Sequence, residues 1–141
     1  MSIEGRSPRL KPETLSRLEA GARERGESKA GLAERLIEEG PRMEQHPGIA
    51  IRDGPTGRRA ALADGPDVWE VISAIRDVDP HDERALEAAV AWTSLNGYQV
   101  RTTLQYYEAY PAEVDERIRR NDDVIDRIEA GWRPWEDGSA D

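Results

Sequence analysis

The 141-residue sequence contains no cysteine and no phenylalanine, and its aliphatic content is low. Without cysteine, the chain has no disulfide framework, no thiolate chemistry and no zinc–thiolate site. Leu, Ile and Val account for only 25 residues, a share of about 18% that lies below the value of roughly 20% under which charged chains tend to be disordered. We therefore expect that part of the chain is unfolded or completes its core with another chain, and we favour the second alternative for its first third.

The sequence also lacks a long apolar run and a signal-peptide pattern, so we expect a cytoplasmic protein with no membrane partner. Its net charge of −9 argues against non-specific nucleic-acid binding, but this charge is unevenly distributed. Residues 1–45 carry nine cations and nine anions, whereas residues 46–141 carry 11 cations and 20 anions. We expect the two parts to have different partners.

Residues 9–40 have the pattern of a short extended piece followed by two helices. Pro12 stands where a helix begins, Gly26 is typical of a helix end, and Ser28 is typical of the start of a second helix, whose apolar stripe ends before Gly40. Apolar residues recur at helical spacing in both segments. The positions expected to face a shared core are Leu10, Leu15, Leu18, Ala22, Leu32, Leu36 and Ile37.

The next segment changes to strand periodicity. Ile49 and Ile51 alternate with other side chains, residues 53–57 have the composition of a turn, and residues 58–62 make a return strand, which together predict a β-hairpin.

Helical patterns follow the hairpin. Segments 84–95 and 98–109 have the proportions of a helix-turn-helix, and Pro111 begins a long helix whose apolar residues keep heptad spacing up to Trp132. The chain is thus predicted to be mainly α, with modules at residues 1–44, 45–120 and 121–141.

The first module resembles a known DNA-binding family. The turn Gly26-Glu27-Ser28 resembles the turn between the two helices of the ribbon-helix-helix (Arc/MetJ/CopG-type) family, and its spacing from Leu18 and from the following helix is similar too. The likeness covers residues 5–40. This resemblance implies an intertwined homodimer whose paired N-terminal strands enter the major groove of operator DNA.

Within that resemblance, five residues are candidates for DNA contact. Because side chains alternate along a strand, Gly5, Ser7 and Arg9 face the bases if Leu10 faces the core, and the Arg9 guanidinium can bond a guanine bidentately. Ser28 and Lys29 lie where the second helix offers free N–H groups to a backbone phosphate. Taken singly, Arg9 could be a solvated charge, and Ser28 only a helix cap.

The second module resembles a domain of unknown function found in VapB-type antitoxins, a β-hairpin followed by a helix-turn-helix-like bundle. The likeness covers about residues 46–120, and its most specific part is the paired Tyr106-Tyr107 followed by Tyr110-Pro111 and an acidic stretch. It implies a toxin partner, specifically a PIN-like ribonuclease. We interpret the bundle as structural or oligomerising rather than as a second DNA reader, because it is strongly acidic.

The last helix keeps its apolar stripe beyond the end of that domain. A stripe that continues past its own domain needs a surface to pack on, either a second copy or a toxin. The residues expected to bind a partner are Ile125, Ile128, Trp132 and Trp135.

Candidate catalytic and metal-binding groups are few. Asp77, Asp79, His81 and Asp82 could hold a hard cation, but they lack the calcium-loop pattern, and no serine has a plausible base. We expect no enzyme activity, no metal and no cofactor.

Together these features predict a homodimeric DNA-binding repressor of antitoxin type, with pairing of dimers into tetramers left open. The alternatives are a stand-alone ribbon-helix-helix transcription regulator and a dimeric protein–protein adaptor that does not bind DNA.

Overall fold

The computed structural model describes residues 9–132, which form six helices and one β-hairpin. The elements are, in chain order, α1 (Pro12–Arg25), α2 (Lys29–Gln45), β1 (Ile49–Gly54), β2 (Gly57–Leu62), α3 (Val68–Ile75), α4 (Glu83–Thr93), α5 (Gly97–Ala109) and α6 (Pro111–Gly131). The chain divides into two compact units between Gln45 and His46. The prediction of a mainly α chain with a β-hairpin is confirmed.

The first unit is a pair of helices joined by a short turn. Gly26 ends α1 in the left-handed conformation, with φ of 67°, and the Glu27 N–H bonds the Ala22 carbonyl at 2.9 Å, so the last carbonyls of α1 are satisfied as in a Schellman motif. Ser28 caps α2 because its Oγ accepts the Gly31 N–H at 3.0 Å. Among the described residues of this unit, Ala22 and Leu32 are the buried apolar side chains.

The structure differs from the sequence expectation at the end of α2. The predicted end near Gly40 is wrong, because the helix continues through Pro41 to Gln45. Pro41 has no N–H to donate, so the helix loses one hydrogen bond there. An ion pair between Arg42 and Glu38, at 3.3 Å, joins the turns on either side of the proline.

The N-terminal strand of the ribbon-helix-helix interpretation is not seen in the described residues. Arg9 and Leu10 belong to no strand, and the sheet that the described chain does form is the mid-chain hairpin. A ribbon of this kind receives its ladder bonds from a second copy, which a single chain cannot supply. Gly5 and Ser7 lie outside the described residues.

The second unit begins with the hairpin. Its strands are antiparallel, with Ile49 opposite Leu62 at the open end and Gly54 opposite Gly57 at the turn. Gly57 has φ of 110°, a left-handed conformation that glycine adopts without the steric cost of a Cβ. Ile49 and Leu62 are buried and belong to the core of the unit.

Helices α3 to α6 complete this core. Two of them begin at side-chain caps: Asp82 accepts two backbone N–H groups of α4, and Asn96 forms a capping box with Gln99 at the start of α5. The apolar core positions are Val68, Val71, Ile72, Ile75, Leu86, Ala89, Val100, Leu104, Tyr106, Val114 and Ile118. Helix α6 therefore contributes to the core only up to Ile118 among its described residues.

Candidate interaction surfaces

The first unit exposes apolar side chains. Leu10, Leu36 and Ile37 are 45%, 48% and 63% exposed, and Leu15 and Leu18 are half-buried. Of the seven positions expected to face a shared core, only Ala22 and Leu32 are buried within the chain. The α1–α2 pair thus leaves apolar side chains uncovered, Leu10 just before α1 and Leu36 and Ile37 on α2, and we refer to these three together as its uncovered apolar face.

The predicted DNA-contact residues that the structure describes lie at two places in this unit. Arg9 is exposed and stands just before α1. Ser28 and Lys29 lie together at the start of α2, where the Lys29 Nζ is 3.7 Å from the Glu19 carboxylate. This long, exposed ion pair can exchange for a phosphate at little cost.

The charges around the α1–α2 turn stabilise its geometry. The Arg35 Nη2 donates to the Glu27 carboxylate at 2.9 Å, and this hydrogen bond is the main reason that the pKa of Glu27 lies below its ordinary value. Arg25 lies 3.4 Å from the same carboxylate. Glu27 therefore links the end of α1 to α2.

The second half of α6 carries an exposed apolar stripe. Val124, Ile125, Ile128 and Trp132 are 51%, 43%, 64% and 66% exposed, and we call these four residues the α6 apolar surface. Three of them were predicted as partner-binding residues, whereas the fourth such residue, Trp135, lies outside the described part of the chain. Val124 was not predicted, because it stands beside the heptad positions rather than on them.

Neither histidine of the chain forms a catalytic or metal-binding arrangement with the described residues. The backbone N–H of His81 donates to the Asp79 carboxylate at 2.8 Å, and Asp82 serves as a helix cap. The His46 ring packs edge-on against Tyr106, at 5.4 Å between ring centroids. Within residues 9–132 no group of three His, Asp or Glu side chains could hold a metal ion, and no helix there is long and apolar enough to cross a membrane.

The second unit also has a groove that the sequence analysis missed. It lies between the hairpin turn, the start of α3 and the middle of α6, and its volume is about 720 Å³. Its lining includes Arg59, Trp69, Arg117, Arg120 and Arg127, and we call it the arginine groove. The arginines of the hairpin and of α6 are about 60 residues apart in sequence, so only the fold brings them together.

Comparisons of the chain with models of protein families, with curated proteins and with solved structures found no match. The fold and these surfaces define a mainly helical protein of two units, each with uncovered apolar side chains. The two family resemblances stay predictions that rest on the residues quoted above.

Proposed function

We propose that the protein is a homodimeric DNA-binding transcriptional repressor of antitoxin type. It binds operator DNA in the major groove through its first unit and neutralises a cognate toxin, a PIN-like ribonuclease, through its C-terminal part. The proposal assigns no catalysis to the chain itself. The observation that carries it is the uncovered apolar face of the α1–α2 pair, because a DNA-binding ribbon requires a second copy to cover that face.

Energetics favour a second copy on this face. A helix pair with two buried apolar side chains cannot offset the conformational entropy of ordering more than thirty residues. Burying a fully exposed Leu or Ile contributes about 1.5–3 kcal/mol, and because the side chains of this face are about half exposed, covering each of them contributes roughly half of that. Two copies that cover Leu10, Leu36 and Ile37 reciprocally would supply the missing core, as expected of an isologous dimer.

The distribution of charge supports DNA binding by the first unit. Residues 1–45 have no net charge, whereas the whole net charge of −9 lies in residues 46–141, where it would repel phosphate. The capped N-terminus of α2, with Lys29 beside it, is a suitable place for a backbone phosphate. Arg9 is exposed, so its guanidinium is accessible to a base edge.

The α6 apolar surface supports a protein partner for the second unit. Acidic side chains flank this stripe, among them Asp122, Asp126 and Glu129. A partner that presents an apolar patch with a basic rim would complement it in both shape and charge. A nuclease that binds the phosphates of RNA is a protein with such a basic surface.

The test is binding of the protein to the DNA upstream of its own reading frame, measured by fluorescence anisotropy beside random DNA of equal length. We expect Arg9→Ala to weaken the specific complex by about 1–3 kcal/mol and to leave random DNA nearly unchanged, because Arg9 reads a base. Lys29→Ala should weaken both complexes and flatten the dependence of affinity on salt, because Lys29 contacts a phosphate.

Arg17→Ala is the matched control, since it removes one exposed cation from the same unit without touching the expected DNA face. Wild-type affinity of Arg9→Ala for the upstream DNA would show that the ribbon assignment is wrong. No preference of the wild-type protein for that DNA would favour the adaptor alternative.

A further inference from the structure

We propose that the arginine groove binds a small ligand in which an oxyanion, either a phosphate or a carboxylate, adjoins a flat ring. This proposal goes beyond the repressor function and does not depend on it. It concerns only the second unit and needs neither DNA nor a partner protein.

The sign of the charge in the groove is opposite to that of its surroundings. Residues 46–141 carry 11 cations and 20 anions, yet the groove is lined by five arginines and only three carboxylates. Nearly half of the cations of this acidic segment are therefore gathered around one cavity. Such a concentration of positive charge in a concave site favours an anionic ligand.

Arg117 is held in place by neutral oxygen atoms. Its Nη2 donates to the Arg58 carbonyl at 2.9 Å, and its Nη1 donates to both the hydroxyl and the carbonyl oxygen of Thr56 in the hairpin turn. Among residues 9–132 no carboxylate lies within ion-pair distance of this guanidinium. Arg117 is thus an ordered cation whose charge has no ion-pair partner there.

Two further arginines extend this positive charge along α6. Arg120 and Arg127 follow Arg117 by three and ten residues, so the helix places them on the same side. Arg120 Nε lies 3.1 Å from the Glu116 carboxylate, and both side chains of this ion pair are largely exposed. Such a pair can exchange for a ligand oxyanion at little cost. Arg127 has no ion-pair partner among the described residues.

The other two arginines of the groove are neutralised by carboxylates and stabilise the fold. Arg59 Nε lies 2.5 Å from the Asp67 carboxylate, and Arg119 Nη1 lies 2.9 Å from that of Asp123. The unmatched charge therefore belongs to Arg117 and Arg127, and Arg120 adds a guanidinium held only in an exposed ion pair. Guanidinium groups can bind phosphate or carboxylate oxygens in pairs.

Trp69 supplies the flat apolar wall. Its ring is half-buried against the core, and its Nε1 donates to the Asp67 carboxylate at 3.2 Å, which fixes the orientation of the indole. Val124 and Pro55 add apolar surface to the same cavity. The volume of about 720 Å³ matches pockets that hold molecules of drug or nucleotide size.

The experiment compares four probes by calorimetry and by the NMR signal of the Trp69 indole N–H. Adenosine monophosphate and indole-3-acetate carry an oxyanion and a ring, adenosine lacks the oxyanion, and inorganic phosphate lacks the ring. We expect at least one of the two complete probes to bind with a Kd of about 1 mM or lower and at least tenfold more tightly than adenosine or phosphate. The complete probe that binds more tightly identifies the preferred oxyanion.

Variants locate the site. The double variant Arg120→Gln with Arg127→Gln should lose at least tenfold in affinity for the preferred probe, while Arg84→Gln with Arg101→Gln makes the same charge change outside the groove and should not. Arg117 is left intact because it anchors the hairpin turn. Three results would each overturn the proposal: adenosine or phosphate binding within tenfold of the tighter complete probe, no binding of either complete probe at about 1 mM, or equal affinity of both double variants.

Discussion

At the scale of single residues, the bond between Tyr107 and Asp115 is a measurable link between α5 and α6. The Tyr107 hydroxyl donates to the Asp115 carboxylate at 2.7 Å, and this bond raises the pKa of Tyr107 above its ordinary value of 10.0. The neutral phenol is the form that the folded state favours. Its stabilising effect is therefore complete below pH 10 and is lost as the pH rises through the folded pKa.

We expect Asp115→Asn to lower the pKa of Tyr107 toward 10, because an amide does not repel the phenolate. The titration is followed by the NMR signals of the tyrosine rings, with Tyr107→Phe used to assign the resonance. Asp126→Asn is the control, since it makes the same charge change on α6 without a contact to Tyr107. An unchanged Tyr107 titration in Asp115→Asn would contradict the role given to this carboxylate.

The roles of residues that contact their sequence neighbours were predictable from the sequence, whereas the roles of residues that contact distant parts of the chain were not. Gly26 and Ser28 were assigned from sequence, because a helix end and a cap depend on neighbouring backbone atoms. Arg117 was not, since its partners Thr56 and Arg58 lie about 60 residues earlier. No local pattern indicates that a cation will be fixed by a distant turn.

At the scale of elements, α6 joins the core to both candidate surfaces of the second unit. Its heptad spacing predicted which residues share a face, and two residues of that face, Val114 and Ile118, are buried. The point at which burial stops was not predictable, because periodicity describes one helix and not the extent of its neighbours. Beyond Ile118, the stripe continues as the α6 apolar surface, which no described residue buries.

If the proposed toxin partner is encoded by the neighbouring reading frame, we expect Ile128→Asp to abolish its binding, because the substitution places a charge in the centre of an apolar contact. The measurement is co-purification after coexpression of the two chains, with DNA binding assayed in parallel. Ala130→Asp adds the same charge at an exposed position of α6 and should leave the complex intact. Truncation after Arg120 should also remove the partner while DNA binding persists.

A complex that survives both Ile128→Asp and the truncation would place the toxin contact on the bundle. Loss of both DNA binding and partner binding would show instead that α6 is needed for the folding of the whole chain. The Ala130→Asp control separates a local clash from a general effect of added charge.

At the scale of the whole molecule, the net charge is unevenly distributed between the two compact units. The mainly helical fold and the hairpin were predictable, because both depend on periodicity and turn composition within one segment. The N-terminal strand is a different case: a ribbon shared by two copies is a property of the assembly, and periodicity in one chain cannot establish it. Measuring the oligomeric state is therefore the test of the ribbon-helix-helix interpretation.

We expect the protein to be a dimer at low micromolar concentration, with a thermal midpoint that rises with concentration, because folding of the first unit is coupled to association. Leu36→Glu should give a monomer that has lost the helical signal of residues 12–45 and its DNA binding, since it places a charge in the shared core. Sedimentation velocity and circular dichroism measure both effects. Ala20→Glu, which adds the same charge at an exposed position of α1, should remain dimeric. A wild-type protein that sediments as a folded monomer, with a midpoint independent of concentration, would contradict the shared core even if Leu36→Glu proved unfolded for other reasons.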